Sequence, residues 1–380
     1  MPNDFLPITP AVLTWARERA GLTLEEAEGS FKKIREWETG DSAPTYPQLE
    51  KLSDKLGLPV AGFFLSEPPV LPSIRESFRT LPDAEYFRMP PVMLALLRRA
   101  KAMQLNLAEL CDGVNPAEHL ITRDVTLIER LPLRDAAERI RAFLGVPLEQ
   151  QFSWRDADTA LKAWRGALQR VGIFVFKDAF RADDYSGFSL YDDLFPVIFI
   201  NNSNSKTRQI FTLFHELAHL LIHTSGIDTP DERQVHEMHG HDRELEIFCN
   251  SLAAKILMPD AAFLTAVGAQ PHSEHTAVRI ADQFSVSREM VYRQFLERRW
   301  ITNEAYSDAV QRWSAQLQRG SGEGGDYYWT KIAYLGDQYI ALALKRHAQN
   351  QIDENRLSEY LDVKPRNVAA LTEHFERTAR

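Results

Sequence analysis

The run Phe211-Thr212-Leu213-Phe214-His215-Glu216-Leu217-Ala218-His219-Leu220-Leu221 decides how this chain is read. It holds His-Glu-x-x-His inside an apolar stretch with no Gly or Pro to break a helix. Residues i and i+4 share a helix face, so His215 and His219 would turn both imidazoles to one point. Burying two His and a Glu without partners is costly, and a metal ion supplies the reason for them. Zinc suits two imidazoles, a carboxylate and one open position for water. Glu216, one residue after the first His, flanks the ion and does not join the ligand row. That is the place of a general base for the ion's water. A metzincin would continue with Gly at 222 and His at 225. Ile222 and Ser225 stand there and exclude that class.

The third ligand must come from elsewhere. Downstream, the pattern from Glu244 to Leu257 predicts a second helix stopped at Pro259, with Glu246, Asn250, Ala253 and Leu257 on one stripe. Glu246 is the natural third ligand, and Asn250, one turn on, could orient a ligand from behind. Glu244 is the rival on the same helix. His223 continues the row 215, 219, 223, but such a row spans about 12 Å at 1.5 Å per residue. It reads as a second-shell or structural residue. Between the two helices, Ser225 to Arg243 reads as a long polar connection. His236, His239 and His241 there read as solvated loop residues.

The whole chain sets limits. Its 380 residues allow two or three domains, and 44% hydrophobic residues fit an ordinary globular protein. No apolar run reaches 18 residues, so no membrane partner is expected. The start Met1-Pro2-Asn3-Asp4 has no secretory pattern, and two cysteines, Cys111 and Cys249, make no disulfide scaffold. A cytoplasmic setting with reduced thiols is the expectation. The net charge of −9 argues against non-specific nucleic-acid binding by the whole chain and leaves room for a local basic face.

Outward from the motif, the expected fold class is α+β and mostly helical, in four segments. Residues 1–65 read as short helices over Pro10–Ala20, Leu24–Glu28, Phe31–Trp37 and Pro47–Leu56, in a helix-turn-helix-like domain. Residues 66–133 read as a Pro-rich linker, with Ser77-Phe78-Arg79 docking on a neighbour, followed by a helix from Val92 to Cys111. Residues 134–319 carry the metal motif. Helices over 135–144 and 156–171 lead into strands at 172–176, 186–190 and 196–200, a small three-stranded sheet beside the His215 helix. The last two strands suit a hairpin. Residues 320–325 are a flexible linker, and 330–349, 354–361 and 365–377 read as tail helices in a 320–380 segment suited to an oligomer or partner contact.

Two resemblances add to this. Ala20-Gly21-Leu22-Thr23-Leu24-Glu25-Glu26, Trp37-Glu38-Thr39-Gly40 and Leu49 to Leu56 resemble the XRE-type helix-turn-helix, with a shortened stretch between the Leu-Glu-Glu helix and the Trp-Glu turn. That likeness implies DNA contact, for which Lys32, Lys33 and Arg35 are the candidates. Residues 1–65 carry seven Lys or Arg against ten Asp or Glu, which suits a helical protein-interaction module equally well. Residues 160–259 resemble the ImmA/IrrE metallo-endopeptidases. The likeness lies in Gly187-Phe188-Ser189, Pro196 to Asn201, Arg208-Gln209-x-Phe211, His215 to His223, and Glu246 through Asn250 to Pro259. It implies Zn2+ held by His215, His219 and Glu246, with Glu216 as general base. It also implies cleavage of a repressor or other regulatory protein, switching on stress, phage or mobile-element genes. A segment at 277–300 resembles a second helix-turn-helix, which the likeness places within the protease domain as a grip on a partner protein. Tyr185, Tyr191 and His223 are candidates to stabilise an oxyanion. The competing expectation is a DNA-binding transcription regulator, or an antitoxin paired with a toxin, that keeps the zinc fold for binding.

Overall fold

The computed structural model describes residues 5–69, 89–125, 132–182, 184–228, 240–317 and 326–378. His236, His239, Ser77-Phe78-Arg79 and the 320–325 linker lie outside the described residues. The chain divides into two units, Met1–Glu76 with Leu81–Arg99, and Ser77–Thr80 with Ala100–Arg380. Among the described residues no single helix is long and apolar enough to cross a membrane.

In the first unit, α1 (Pro10–Arg19), α2 (Leu24–Ser30), α3 (Ile34–Thr39) and α4 (Tyr46–Leu56) are followed by a 3-10 turn at Val60–Phe64. Thr23 starts α2 with a capping box: its hydroxyl accepts from Glu26 N, and the Glu26 carboxylate reaches back to Thr23 N at 2.8 Å. Gly40 and Gly57, both at positive φ, end α3 and α4. Val12, Leu13, Ile34, Trp37, Leu49, Leu52 and Phe63 form the core. Arg17 reaches across from α1 to Glu38 on α3 (2.7 Å), and both side chains are about nine-tenths buried. The Trp-Glu pair of the sequence thus supplies one core side chain and one ion pair. Helix α3 begins at Ile34, not Phe31, so Lys32 and Lys33 fall in the turn before it. Arg35 is on the helix and is held by Glu28 at 2.8 Å.

Helix α5 (Pro91–Leu110) runs from the first unit into the second. There α6 (Ile121–Asp124), α7 (Leu133–Leu144), α8 (Leu148–Phe152) and α9 (Ala157–Arg170) precede the strands. The sheet comprises β1 (Phe174–Asp178), β2 (Gly187–Leu190), β3 (Val197–Asn201) and, after helix α10 (Lys206–Leu221), β4 (Ile227–Asp228). Its order is β1-β3-β2-β4. β1 runs parallel to β3, and β2 pairs antiparallel with both β3 and β4. The expected hairpin of the second and third strands is present. The expected three strands become four, because the chain leaving α10 returns to pair Gly187 with Asp228 and Phe188 with Ile227. Two paired residues are too short to show an alternation in sequence.

Both sheet faces are covered. Val175, Ile198 and Ile200 share one core with Ile210, Leu213, Phe214 and Leu217 of α10. The other face is aromatic: Phe199 lies between Phe176 (5.1 Å between ring centroids) and Phe188 (5.0 Å). This explains strands that read as continuous apolar runs.

The remaining helices are α11 (His241–Leu257), α12 (Asp260–Val267), α13 (Glu274–Phe284), α14 (Arg288–Glu297) and α15 (Asn303–Leu317), then α16 (Tyr327–Leu335), α17 (Asp337–Ala348), α18 (Glu354–Tyr360) and α19 (Val368–Thr378). The last carbonyls of α11 would be orphans where the helix stops before Pro259. Buried Arg141 of α7 donates to Ile256 O (2.8 Å), and Gln151 Nε2 to Leu257 O (2.9 Å). The expected single tail helix over 330–349 is two helices, broken at Gly336, whose φ is 85°. A Cβ there would meet the Arg165 guanidinium at 2.4 Å. Arg165 donates to Val175 O in β1 and to Ala333 O at the end of α16 (2.9 and 2.7 Å), tying the tail to the sheet. Tyr339 of α17 meets Phe176 edge-on at 5.2 Å. The tail therefore covers the aromatic face of the sheet.

Candidate metal centre

Helix α10 starts at Ser205, whose hydroxyl accepts from Arg208 N, and is buried almost without interruption from Gln209 to Leu221. A helix this enclosed can carry polar side chains only where each meets a partner. His215, Glu216 and His219 are at most 2% exposed. Helix α11 packs along α10 and brings Glu246 opposite the two rings.

Three ligand groups converge. His215 Nε2 and His219 Nε2 are 3.1 Å apart. The Glu246 carboxylate lies 3.4 Å from the first and 3.3 Å from the second. A cation at about 2.1 Å from each of three ligand atoms in near-tetrahedral arrangement would set them about 3.4 Å apart. Spacing and chemistry both fit Zn2+: two imidazoles and one carboxylate. Among the described residues no other group of three or more His, Cys, Asp or Glu is placed to hold an ion.

The two histidines are held from behind. Asn250 Oδ1 lies 3.0 Å from His215 Nδ1, one turn along α11 from Glu246. An amide oxygen can only accept, so Nδ1 carries a proton, and Nε2 is the nitrogen that would give up its own proton to bind an ion. The His219 ring lies under Gly226, where a Cβ would come within 2.4 Å of Cδ2. Burial pulls the His215 pKa down, but the carboxylates of Asp228, Glu246 and Glu216 outweigh it and raise it to about 9. Glu246 is partly buried, which raises its pKa, yet hydrogen bonds to His215 and His219 hold it far below the carboxylate range. This mutual attraction of two rings and a carboxylate is the field that a divalent cation would occupy.

Glu216 has a different setting. Ser189 Oγ on β2 is 2.7 Å from its Oε2. Its Oε1 is buried and has no hydrogen-bond partner among the described residues. Burial lifts its pKa to about 6, with His219 and His215 opposing. Behind it, Asp228 on β4 accepts from Arg208 Nη2 with both oxygens (2.9 Å each) and from Thr212 Oγ1 (2.7 Å). Two turns of α10 are thereby fastened to the last strand.

Among the described residues the other sequence candidates are not members of the three-ligand group. Glu244 is exposed, two residues before Glu246 and so on the far side of α11 from the ligand face. His223 sits past the end of α10 at φ 59°, donates from Nε2 to Thr122 O (3.1 Å) and stacks on Tyr191 at 5.0 Å. The Tyr191 hydroxyl donates to Asp193 (2.7 Å), and burial together with that carboxylate pushes its pKa up to about 12. Tyr185 precedes β2, where its carbonyl accepts from Asn201 Nδ2. His241 opens α11 and is not a loop residue. Lys32, Lys33 and Arg35 belong to the first unit. Sequence reasoning gave no chemistry to Ser189, Gly226, Thr212 or Asp228. The available signal was Ser189 itself, a small polar side chain at an inward position of an otherwise apolar strand.

Residues 168–295 match the family described as the IrrE N-terminal-like domain, peptidase family M78. The match covers about a third of the chain, from the end of α9 into α14, and contains His215, Glu216, His219 and Glu246. It is a metallopeptidase family, which implies a metal, usually zinc. No curated protein matches the chain.

Proposed function

We propose that this protein is a zinc-dependent endopeptidase that cleaves a repressor or another regulatory protein. The observation that carries the reading is the convergence of His215, His219 and Glu246 beside a buried Glu216 with one unpartnered oxygen. His215 and His219, with Glu246, would hold the ion. When bound, Zn2+ supplies Lewis acidity and makes water a nucleophile near neutral pH. Asn250 keeps the His215 tautomer that leaves Nε2 free. Glu216, with Oε2 engaged by Ser189, has Oε1 open to take a proton and to pass it to the departing amine.

A regulatory protein as substrate rests on the likeness of residues 8–65 to XRE-type domains, which would bring the protease to a repressor or its operator. The DNA-binding regulator or antitoxin reading has less support. Arg35 is engaged by Glu28, and on α14 Arg288 lies over Trp313 (4.7 Å) while Arg293 lies over Tyr306 (5.7 Å). These three arginines have partners within the chain, while Lys32 and Lys33 are exposed in the turn before α3.

The test is the purified chain, zinc-loaded, incubated with the repressor encoded beside it. Cleavage is expected, and Glu216→Gln should retain zinc and lose roughly 10²–10⁴-fold in rate. Full cleavage by Glu216→Gln removes the general-base assignment. No cleavage by the zinc-loaded wild type, together with a specific operator shift that weakens with salt, favours the regulator reading.

A further inference from the structure

Ser189 is the link between three parts of the site. It lies on β2 at 0% exposure, between Phe188 and Leu190, whose side chains point to the opposite face. Its Oγ meets two groups: Glu216 Oε2 at 2.7 Å and Gly226 N at 3.1 Å. A serine hydroxyl has one proton to give. The Gly226 amide can only donate, so Oγ accepts there. Its single proton therefore goes to Glu216. The backbone reinforces the arrangement, since Ser189 N donates to Gly226 O at 3.0 Å.

Two consequences follow from this geometry. One oxygen of Glu216 is anchored by a committed donor, so the carboxylate plane and the direction of the unpartnered Oε1 are set from the sheet side. Gly226 is held where it presses on the His219 ring by the backbone bond from Ser189 N to its carbonyl, which a change of the 189 side chain leaves in place.

We propose that Ser189 is a positioning residue that aims Glu216 Oε1 at the atoms held by the metal. The proposal rests on the peptidase reading and sharpens it, naming a residue 27 positions from the base in sequence that controls its orientation. A general base displaced by about 1 Å loses on the order of 10²-fold in rate, so a fixed anchor matters even where the fold survives without it.

The test needs no natural substrate. A hydroxamic acid loses a proton as it binds a zinc ion, and a carboxylate beside the ion is the group that receives it. Its affinity therefore reads the placement of Glu216. Acetohydroxamate would be titrated into the zinc-loaded full chain as wild type, Ser189→Ala, Glu216→Ala and the double variant, with zinc per chain measured for each. Ser189→Ala should keep its zinc and bind acetohydroxamate roughly tenfold more weakly. In the Glu216→Ala background the same change should matter less than about twofold, because Ser189 acts through Glu216. Ser189→Thr, which keeps the donor, should recover most of the affinity. Equal loss in both backgrounds, or wild-type affinity in Ser189→Ala, overturns the proposal. If Ser189→Ala does not fold, Ser189→Cys, with its weak donor, enters the same cycle under the same criteria. A wild-type chain that takes up no zinc, or binds no acetohydroxamate when loaded, overturns the peptidase reading and this proposal with it.

Discussion

Asn250 Oδ1 and His215 Nδ1 are 3.0 Å apart across the α10–α11 contact. The bond fixes which ring nitrogen faces Glu246. Asn250→Ala should therefore weaken zinc binding by about 10–100-fold, as measured by chelator competition. Asn250→Asp, which still accepts from Nδ1–H, should stay much closer to wild type. A zinc affinity unchanged in Asn250→Ala would show that packing alone orients the ring.

Removing a ligand and removing a base should separate cleanly. Glu246 faces both imidazoles, Glu216 is bonded to Ser189, and Glu244 is exposed on the far side of α11. Glu246→Ala should purify with far less zinc than Glu216→Ala, and Glu244→Ala should match wild type. Zinc content of the three variants, measured side by side, decides this. Metal loss confined to Glu244→Ala would move the ligand register by two residues.

A single methyl should disturb the site at Gly226. The added Cβ would sit 2.4 Å from His219 Cδ2, and neither the ring nor the paired backbone has room to yield. Gly226→Ala should lose zinc affinity by at least about tenfold. Gly166→Ala, whose Cβ would have nothing nearer than 3.7 Å, should be neutral or slightly stabilising. Zinc retention in Gly226→Ala at wild-type affinity would contradict the close approach.

Lys177 on β1 gives a stability signature. Burial, with Arg165, Lys206 and Lys162 nearby and Asp158 opposing, lowers its pKa to about 7. Unfolded, it keeps its proton to about 10.4. Below pH 7 both states are protonated and the cost of the buried charge is full. Between pH 7 and about 10 the unfolded chain binds more protons, so stability rises with pH, by at most about 1.4 kcal/mol per unit. Lys177→Met should be more stable than wild type at pH 7, and the gap should narrow by pH 9.5 in urea melts. A gap independent of pH would mean that Lys177 stays charged.

What the sequence disclosed follows from how local each feature is. His215 and His219 come together because one helix turn separates them, and Glu246 and Asn250 share a face of the next helix for the same reason. The β2–β3 hairpin was legible from its two apolar runs and the polar turn between them. Ser189 was not, since it reaches Glu216 only when β2 lies across α10, a packing that no periodicity encodes. β4 is two residues long and gains its identity from its partner. The break at Gly336 depends on Arg165, 171 residues earlier, filling the space where a side chain would go. His223 continued the histidine row on paper, but the helix ends before it and a left-handed residue turns the ring to Thr122.

The tail over the aromatic face sets what can be cut away. Residues 168–295 contain every group of the metal centre, yet they do not contain their own cover. Severed from α16 and α17, β1 would expose Phe176 to water, and without α7 the Ile256 carbonyl would lose Arg141. A fragment trimmed to residues 168–295 should be sticky and poorly folded. In this chain the candidate ligands and the helices that cover the sheet beside them belong to one unit, so neither is a separable part.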